Sequence, residues 1–380
     1  MYQFIPPLFR ATTLLILLSV TALLPFGFKP APKPKPVVLA YVGGFRGLVD
    51  TDKIAVEKLT HINYAFVDIK NNRAWLHNLA TDSTNFRRLN ELKQRNPDLK
   101  ILISIGGWAW SENFSDAVFS DTARTAFAAS AVDIVRQYQL DGIDIDWEYP
   151  GMKGEDNVFR PEDKQNFTLL FKALREQLNG LKQQTGKNYL VTTAMPGFPE
   201  IFTHTDMAQA HPYLDYVNVM TYDHYTGGPL AGHHTNLYPS GKVDNEQSGD
   251  RAVKLYKQAG VPVNKLILGI AFYGRAWQLQ NDNPNRQPRT IAKVERGGGY
   301  TFIKDSLLTN PAYKRHWDRK AKAPYLYNAT LKRFVSYDDE ESVKAKCRYV
   351  QRRGLAGVMF WEYFSDPKTY LLSEINRQLP

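Results

Sequence analysis

Cysteine is almost missing. Cys347 is the only one among 380 residues, so no internal disulfide can hold this fold. Cys347 stands at helical spacing between Val343 and Val350, with no charge-lowering motif around it. That reads as a small buried side chain rather than a nucleophile. Internal repeats are absent, and low complexity is confined to one short stretch. Acidic excess is missing too: the formal charge is +10. The Lys and Arg residues are nevertheless spread along the chain without a recognition motif, which argues against nucleic acid as a partner. Gly297 to Gly299 has neither a following Lys-Ser/Thr nor a helix start, so it reads as a turn and not a phosphate loop. His233 and His234 are adjacent and lack an acid-rich zinc pattern, so no metal site is expected. No cofactor is implied.

Charge of either sign is missing from Ala11 to Phe28, behind Arg10, with Leu14 to Leu18 as the apolar heart. Residues 1–28 therefore read as an export signal, either cleaved or kept as a membrane anchor through residues 11–28. Export implies a secreted or periplasmic location. The stretch "KPAPKPKP", residues 29–36, alternates Pro and forms an extended spacer. The folded part is expected from Val37, as a monomer.

What is present is globular: 43% apolar and 23% charged residues, with 13% aromatic. Eight short apolar runs read as buried strands, beginning near Val37, His61, Lys100, Asp141, Tyr189, Asp215, Lys265 and Leu355. Helical patterns lie between them. They are expected over Thr84–Asn96, Ser120–Tyr138, Pro161–Asn179 with a stop at Gly180, and Asp339–Arg353 with a stop at Gly354. Eight strands alternating with helices predict an α/β (β/α)8 TIM barrel. The roughly eighty residues between Gly274 and Leu355 are too many for one βα unit. A small α+β insertion is expected at 277–336, between strands seven and eight. The barrel then comprises 37–276 and 337–380.

The segment "DGIDIDWEYP", Asp141 to Pro150, carries four acids among isoleucines and a tryptophan. In a strand, Asp144, Asp146 and Glu148 share one face, and Ile143, Ile145 and Trp147 share the other. The acids would line the barrel interior, with Glu148 at the carboxyl rim where barrel enzymes keep their active sites. Carboxylates stacked on one buried face push their pKa values apart, so that one is held protonated near neutral pH. A general acid needs that state. Asp141 has the opposite parity and reads as structural.

This segment resembles the D-x-x-D-x-D-x-E signature of glycoside hydrolase family 18, the chitinases and their relatives. Further stretches match in order: "SIGGW" at Ser104–Trp108, "MTYD" at Met220–Asp223, "FYGR" at Phe272–Arg275 and "FWEY" at Phe360–Tyr363. The resemblance spans roughly Val37 to Phe364, and the insertion resembles that of the chitinase-type branch. It implies hydrolysis of β-1,4-linked N-acetylglucosamine polymers such as chitin, by a retaining mechanism in which the substrate's acetamide attacks its own anomeric carbon. It implies Glu148 as general acid and base, Asp146 as the group orienting the acetamide, and Asp144 as its support. Tyr222 and Asp223 would complete the acetamide pocket, with Trp361 as the floor under the sugar. Tyr41, Phe45, Ser104, Trp108, Tyr149, Met195, Met220, Tyr273 and Arg275 would be cleft residues. Two other readings stay open: a different N-acetylglucosamine glycan as substrate (peptidoglycan or an N-glycan core), and a lectin-like binding module. Asn113, Asn166 and Asn328 each begin an N-x-S/T sequon.

Overall fold

The computed structural model describes residues 1–4, 35–242, 246–281 and 289–380. The chain separates into two units, Met1–Lys35 and Pro36–Pro380. The expected targeting segment and spacer lie, apart from their outermost residues, outside the described residues. Among the described residues, no helix is long and apolar enough to cross a membrane.

The second unit is built on eight parallel strands: β1 (Val37–Gly43), β2 (His61–Lys70), β3 (Lys100–Gly106), β4 (Gly142–Asp146), β5 (Leu190–Pro196), β6 (Tyr216–Met220), β7 (Leu266–Ala271) and β8 (Gly357–Trp361). Each pairs with its sequence neighbour, and β1 also pairs with β8, so the sheet closes into a (β/α)8 barrel. Closure leaves no exposed edge along the barrel.

Alternation along the strands sorts the core. Ile143, Ile145 and Trp147 of the acidic segment join the large apolar layer between strands and helices, where Trp147 stacks on Phe114 at 5.2 Å. That layer also takes Phe127 from the helix Asp121–Gln137 and Phe167, Leu170 and Leu174 from the helix Asp163–Thr185. A smaller cluster inside the barrel holds Leu39, Tyr41, Ala65, Ala194, Ile267 and Met359. Ser120 caps the first of these helices by accepting from Ala123 N. Asp339 caps Glu340–Arg353 in a capping box with Ser342, and left-handed Gly354 closes it.

Two sequence expectations are corrected here. The helix expected to stop at Gly180 continues to Thr185 and ends on left-handed Gly186. Leu178 and Leu181 are both buried and carry the apolar stripe past Gly180, and the surface position tolerates a glycine at a modest cost in propensity. Gly297–Gly299 is not a free turn but the end of the strand Arg289–Gly299. That strand belongs to a second, six-stranded antiparallel sheet among the described residues. Its members are Leu230–Ala231, Tyr273–Leu279, Arg289–Gly299, Lys314–Asp318, Ala323–Asn328 and Arg333–Ser336. The sheet thus opens at Tyr273, directly after β7, and also recruits two residues that precede β7.

Candidate active site

Asp144 lies inside the barrel and is fully buried. The neighbouring strands place Ser104 and Thr192 beside it in register. Its carboxylate accepts from Tyr41 Oη at 2.9 Å, Ser104 Oγ at 2.8 Å, Thr192 Oγ1 at 2.5 Å and Asn218 Nδ2 at 3.1 Å. Burial raises its pKa, and the Thr192, Ser104 and Tyr41 hydroxyls oppose the rise.

Asp146, one step toward the rim, differs. It is 4% exposed, and its Oδ1 has no hydrogen-bond donor among the described residues. Burial, then the charges of Glu148 and Asp144, push its pKa well above the carboxylate range. Glu148 follows on the same side, partly buried at the cleft. Burial and then the charge of Asp223 push it up to about 7. Three carboxyls therefore descend from the rim into the barrel with too little positive charge nearby to ionise together. The backbone that carries them is pinned: Gly107 N donates to Asp146 O at 2.7 Å, and Glu148 N to Ser111 Oγ at 2.9 Å. Close approach needs the glycine at 106, which sits at φ +104; a Cβ there would lie 2.4 Å from Asp146 O.

Asp223 faces this series and is held in the opposite state. Its carboxylate accepts from Tyr273 Oη at 2.7 Å and from the Arg275 fork at 2.8 and 2.6 Å. The ring of His234 lies 3.4 Å away. Although burial works against ionisation, His234 and Arg275 outweigh it and keep the carboxyl well below its usual range. Tyr222 lines the same cleft and feels both acid groups, and its hydroxyl donates to Met359 Sδ at 3.7 Å. Burial, followed by the charges of Asp146 and Asp223, raises its phenol well above the ordinary value, so it remains a proton donor.

The apolar part of the site is aromatic. Trp361, at the end of β8, stacks on Phe66 at 5.4 Å and on Phe45 at 6.2 Å, with Tyr41 tilted 5.8 Å away. Trp108, half exposed, meets Tyr149 edge-on at 6.3 Å, and Tyr149 meets Phe198 at 5.2 Å. These groups line one cleft of about 1450 Å³. Flat apolar faces with a few converging polar groups suit a sugar chain.

Of the residues singled out from sequence, Glu148, Asp146, Tyr222, Asp223, Trp361, Met220, Tyr273, Arg275, Trp108, Tyr41, Tyr149 and Phe45 line this cleft. Asp144 and Ser104 lie beneath it, joined to each other. Met195 does not belong: it is fully buried in the outer layer, because on β5 it is Ala194 that turns inward. Asp141 pairs with Lys93 at 2.6 Å and Lys187 at 2.8 Å, away from the cleft. His233 and His234 turn to different carboxylates, Asp318 and Asp223. Cys347 is buried, which pushes its thiol up to about 12. Sequence reasoning missed Arg46, Phe66, Trp110 and Phe198 in the lining. A residue-type signal existed for Phe66, an aromatic near the end of a predicted strand.

The chain matches the family described as glycosyl hydrolases family 18 over residues 37–366. It belongs to that family. Similar proteins include Chitinase A1 of Niallia circulans, 40% identical over 316 residues, covering 78% of this chain and 45% of the relative. Chitotriosidase-1 of Mus musculus is 36% identical over 320 residues, covering 80% and 66%. The chain thus spans about half the length of the first of these and two thirds of the second. Among solved structures, a family 18 N-acetylglucosaminidase from Paenibacillus barengoltzii superposes with a TM-score of 0.84 at 38% identity, covering 90% of this chain and 100% of that one. A Group IV chitinase from Ostrinia furnacalis, solved with allosamidin, gives 0.82 at 29% identity, covering 90% and 98%.

Proposed function

We propose that this family 18 chain is a chitinase that hydrolyses β-1,4 links between N-acetylglucosamine units with retention at the anomeric carbon. The observation that carries the reading is the bare Oδ1 of buried Asp146, set between supported Asp144 and Glu148, whose carboxyl is pushed up to about 7. A buried acceptor without a donor is costly, and a substrate N–H would satisfy it. An acetamide placed there offers that N–H to Asp146 and turns its carbonyl oxygen toward its own anomeric carbon. Glu148 gives its proton to the glycosidic oxygen as the bond to the leaving sugar breaks. The acetamide oxygen bonds to the anomeric carbon, and the oxazolinium ion that results carries its charge beside Asp146. Tyr222 donates to the acetamide oxygen and holds it in line. Glu148, now ionised, takes a proton from water, which opens the ring at the anomeric carbon and restores the starting configuration. Trp361 supports the sugar's apolar face throughout.

The relatives named chitinases support the polymer as substrate, and the Paenibacillus N-acetylglucosaminidase supports the same sugar. The test is hydrolysis of a soluble N-acetylglucosamine hexamer across pH. Cleavage needs Glu148 protonated, so kcat should fall as pH rises through about 7. A kcat that stays level from pH 5 to pH 9 would remove Glu148 from the acid role.

A further inference from the structure

Arg46 sits on the short turn Gly44–Arg46 that follows β1. Gly44 lets this turn press against the barrel, since a Cβ there would lie 2.0 Å from Tyr64 Oη. The turn sends Phe45 to stack beside Trp361 and puts Arg46 in the cleft lining, with 56% of its side chain exposed. One guanidinium nitrogen donates to Glu362 Oε1 at 2.8 Å. Glu362 is almost fully buried, follows Trp361 directly, and is itself held by Ser365 Oγ at 3.0 Å and Phe364 N at 3.1 Å. The fork is therefore anchored from behind by a fixed carboxylate. A guanidinium has five N–H donors and no acceptor. One of them serves Glu362, and the rest of this exposed group borders the cleft.

From this geometry we infer that Arg46 is a specificity residue that reads the N-acetyl group of the sugar next to the one on Trp361, on the Phe45 side. The inference rests on the hydrolase reading above. The Arg46 guanidinium also lies over the Phe45 ring, 5.7 Å from its centroid, so a sugar unit reaching past Trp361 on the Phe45 side meets the guanidinium. An acetamide carbonyl there is an acceptor and meets the free donors. A deacetylated unit presents an ammonium, which is donor-only and positively charged, against a donor-only cation. The pair cannot hydrogen-bond and repels. Arg46 thus makes the enzyme discriminate against glucosamine at a second position, separate from the unit whose acetamide Asp146 reads.

The experiment uses the fully acetylated tetramer and the four tetramers carrying one glucosamine at a defined position, with products located by mass spectrometry. The wild-type chain should reject glucosamine at two positions: the cleaved unit, and its neighbour by about tenfold in kcat/KM. Arg46→Gln should bring the neighbour's ratio to within about twofold while rejection at the cleaved unit persists. Arg46→Lys, which keeps a cation beside Glu362, should retain part of it. An unchanged ratio in a folded Arg46→Gln chain overturns the inference and leaves the hydrolase reading standing. Failure of the wild-type chain to cleave the fully acetylated tetramer overturns both.

Discussion

Glu148→Gln should lower kcat on an N-acetylated hexamer by roughly a thousandfold while changing KM less than about threefold, because general acid–base catalysis carries about that share of a barrier. The same change should leave the fold more stable above neutral pH. The native carboxyl holds its proton to about 7, whereas an unfolded one releases it near the ordinary value of about 4.3. Between those values the native state binds more protons, so the wild-type chain loses stability as pH rises through the window. Glutamine has no proton to hold, and the loss disappears. Thermal melts of both proteins at pH 4 and pH 8 check this: the variant should gain Tm relative to wild type only at the higher pH. A variant that hydrolyses the hexamer at the parent rate would end the assignment.

The second large effect belongs to Asp146. Asp146→Asn keeps the shape but presents a neutral amide where the oxazolinium ion needs a negative neighbour, and roughly a hundredfold loss in kcat is expected. The variant should also shift the remaining pH dependence. Glu148 and Asp146 titrate as one cluster, and the charge of Glu148 is among the causes that raise Asp146. In the reactive form the shared proton sits on Glu148 and Asp146 is ionised, so asparagine removes a negative charge from beside Glu148 and the fall of kcat with pH should begin earlier. A fall displaced to higher pH would contradict the coupling.

Much of this site was legible because parity in a strand is a strict rule. Asp144, Asp146 and Glu148 could be placed on one face, and Ile143, Ile145 and Trp147 on the other, before any coordinates. The closed barrel was legible from eight apolar runs separated by helical patterns. Parity fails where the ladder slips. The register between β2 and β3 shifts between Ala65 and Val67, so Phe66 turns into the barrel beside Ala65 and reaches Trp361. Nothing in "HINYAFV" announces that bulge. Met195 falls to the parity rule: Thr192 points inward to Asp144, so Ala194 shares its face and Met195 turns outward. Arg46 was invisible because turns after strands carry no periodic signal, and its importance comes from Glu362, more than 300 positions away. The helix that passes Gly180 shows that a glycine stops a helix only where the apolar stripe also ends.

The most direct test of the account follows the product anomers by proton NMR during hydrolysis of an N-acetylglucosamine hexamer by the chain from Val37 onward, with a fully deacetylated hexamer alongside. Acetamide participation predicts β-anomer as the first product from the acetylated chain and no cleavage of the deacetylated one. Early α-anomer, or cleavage of both hexamers at similar rates, would contradict it.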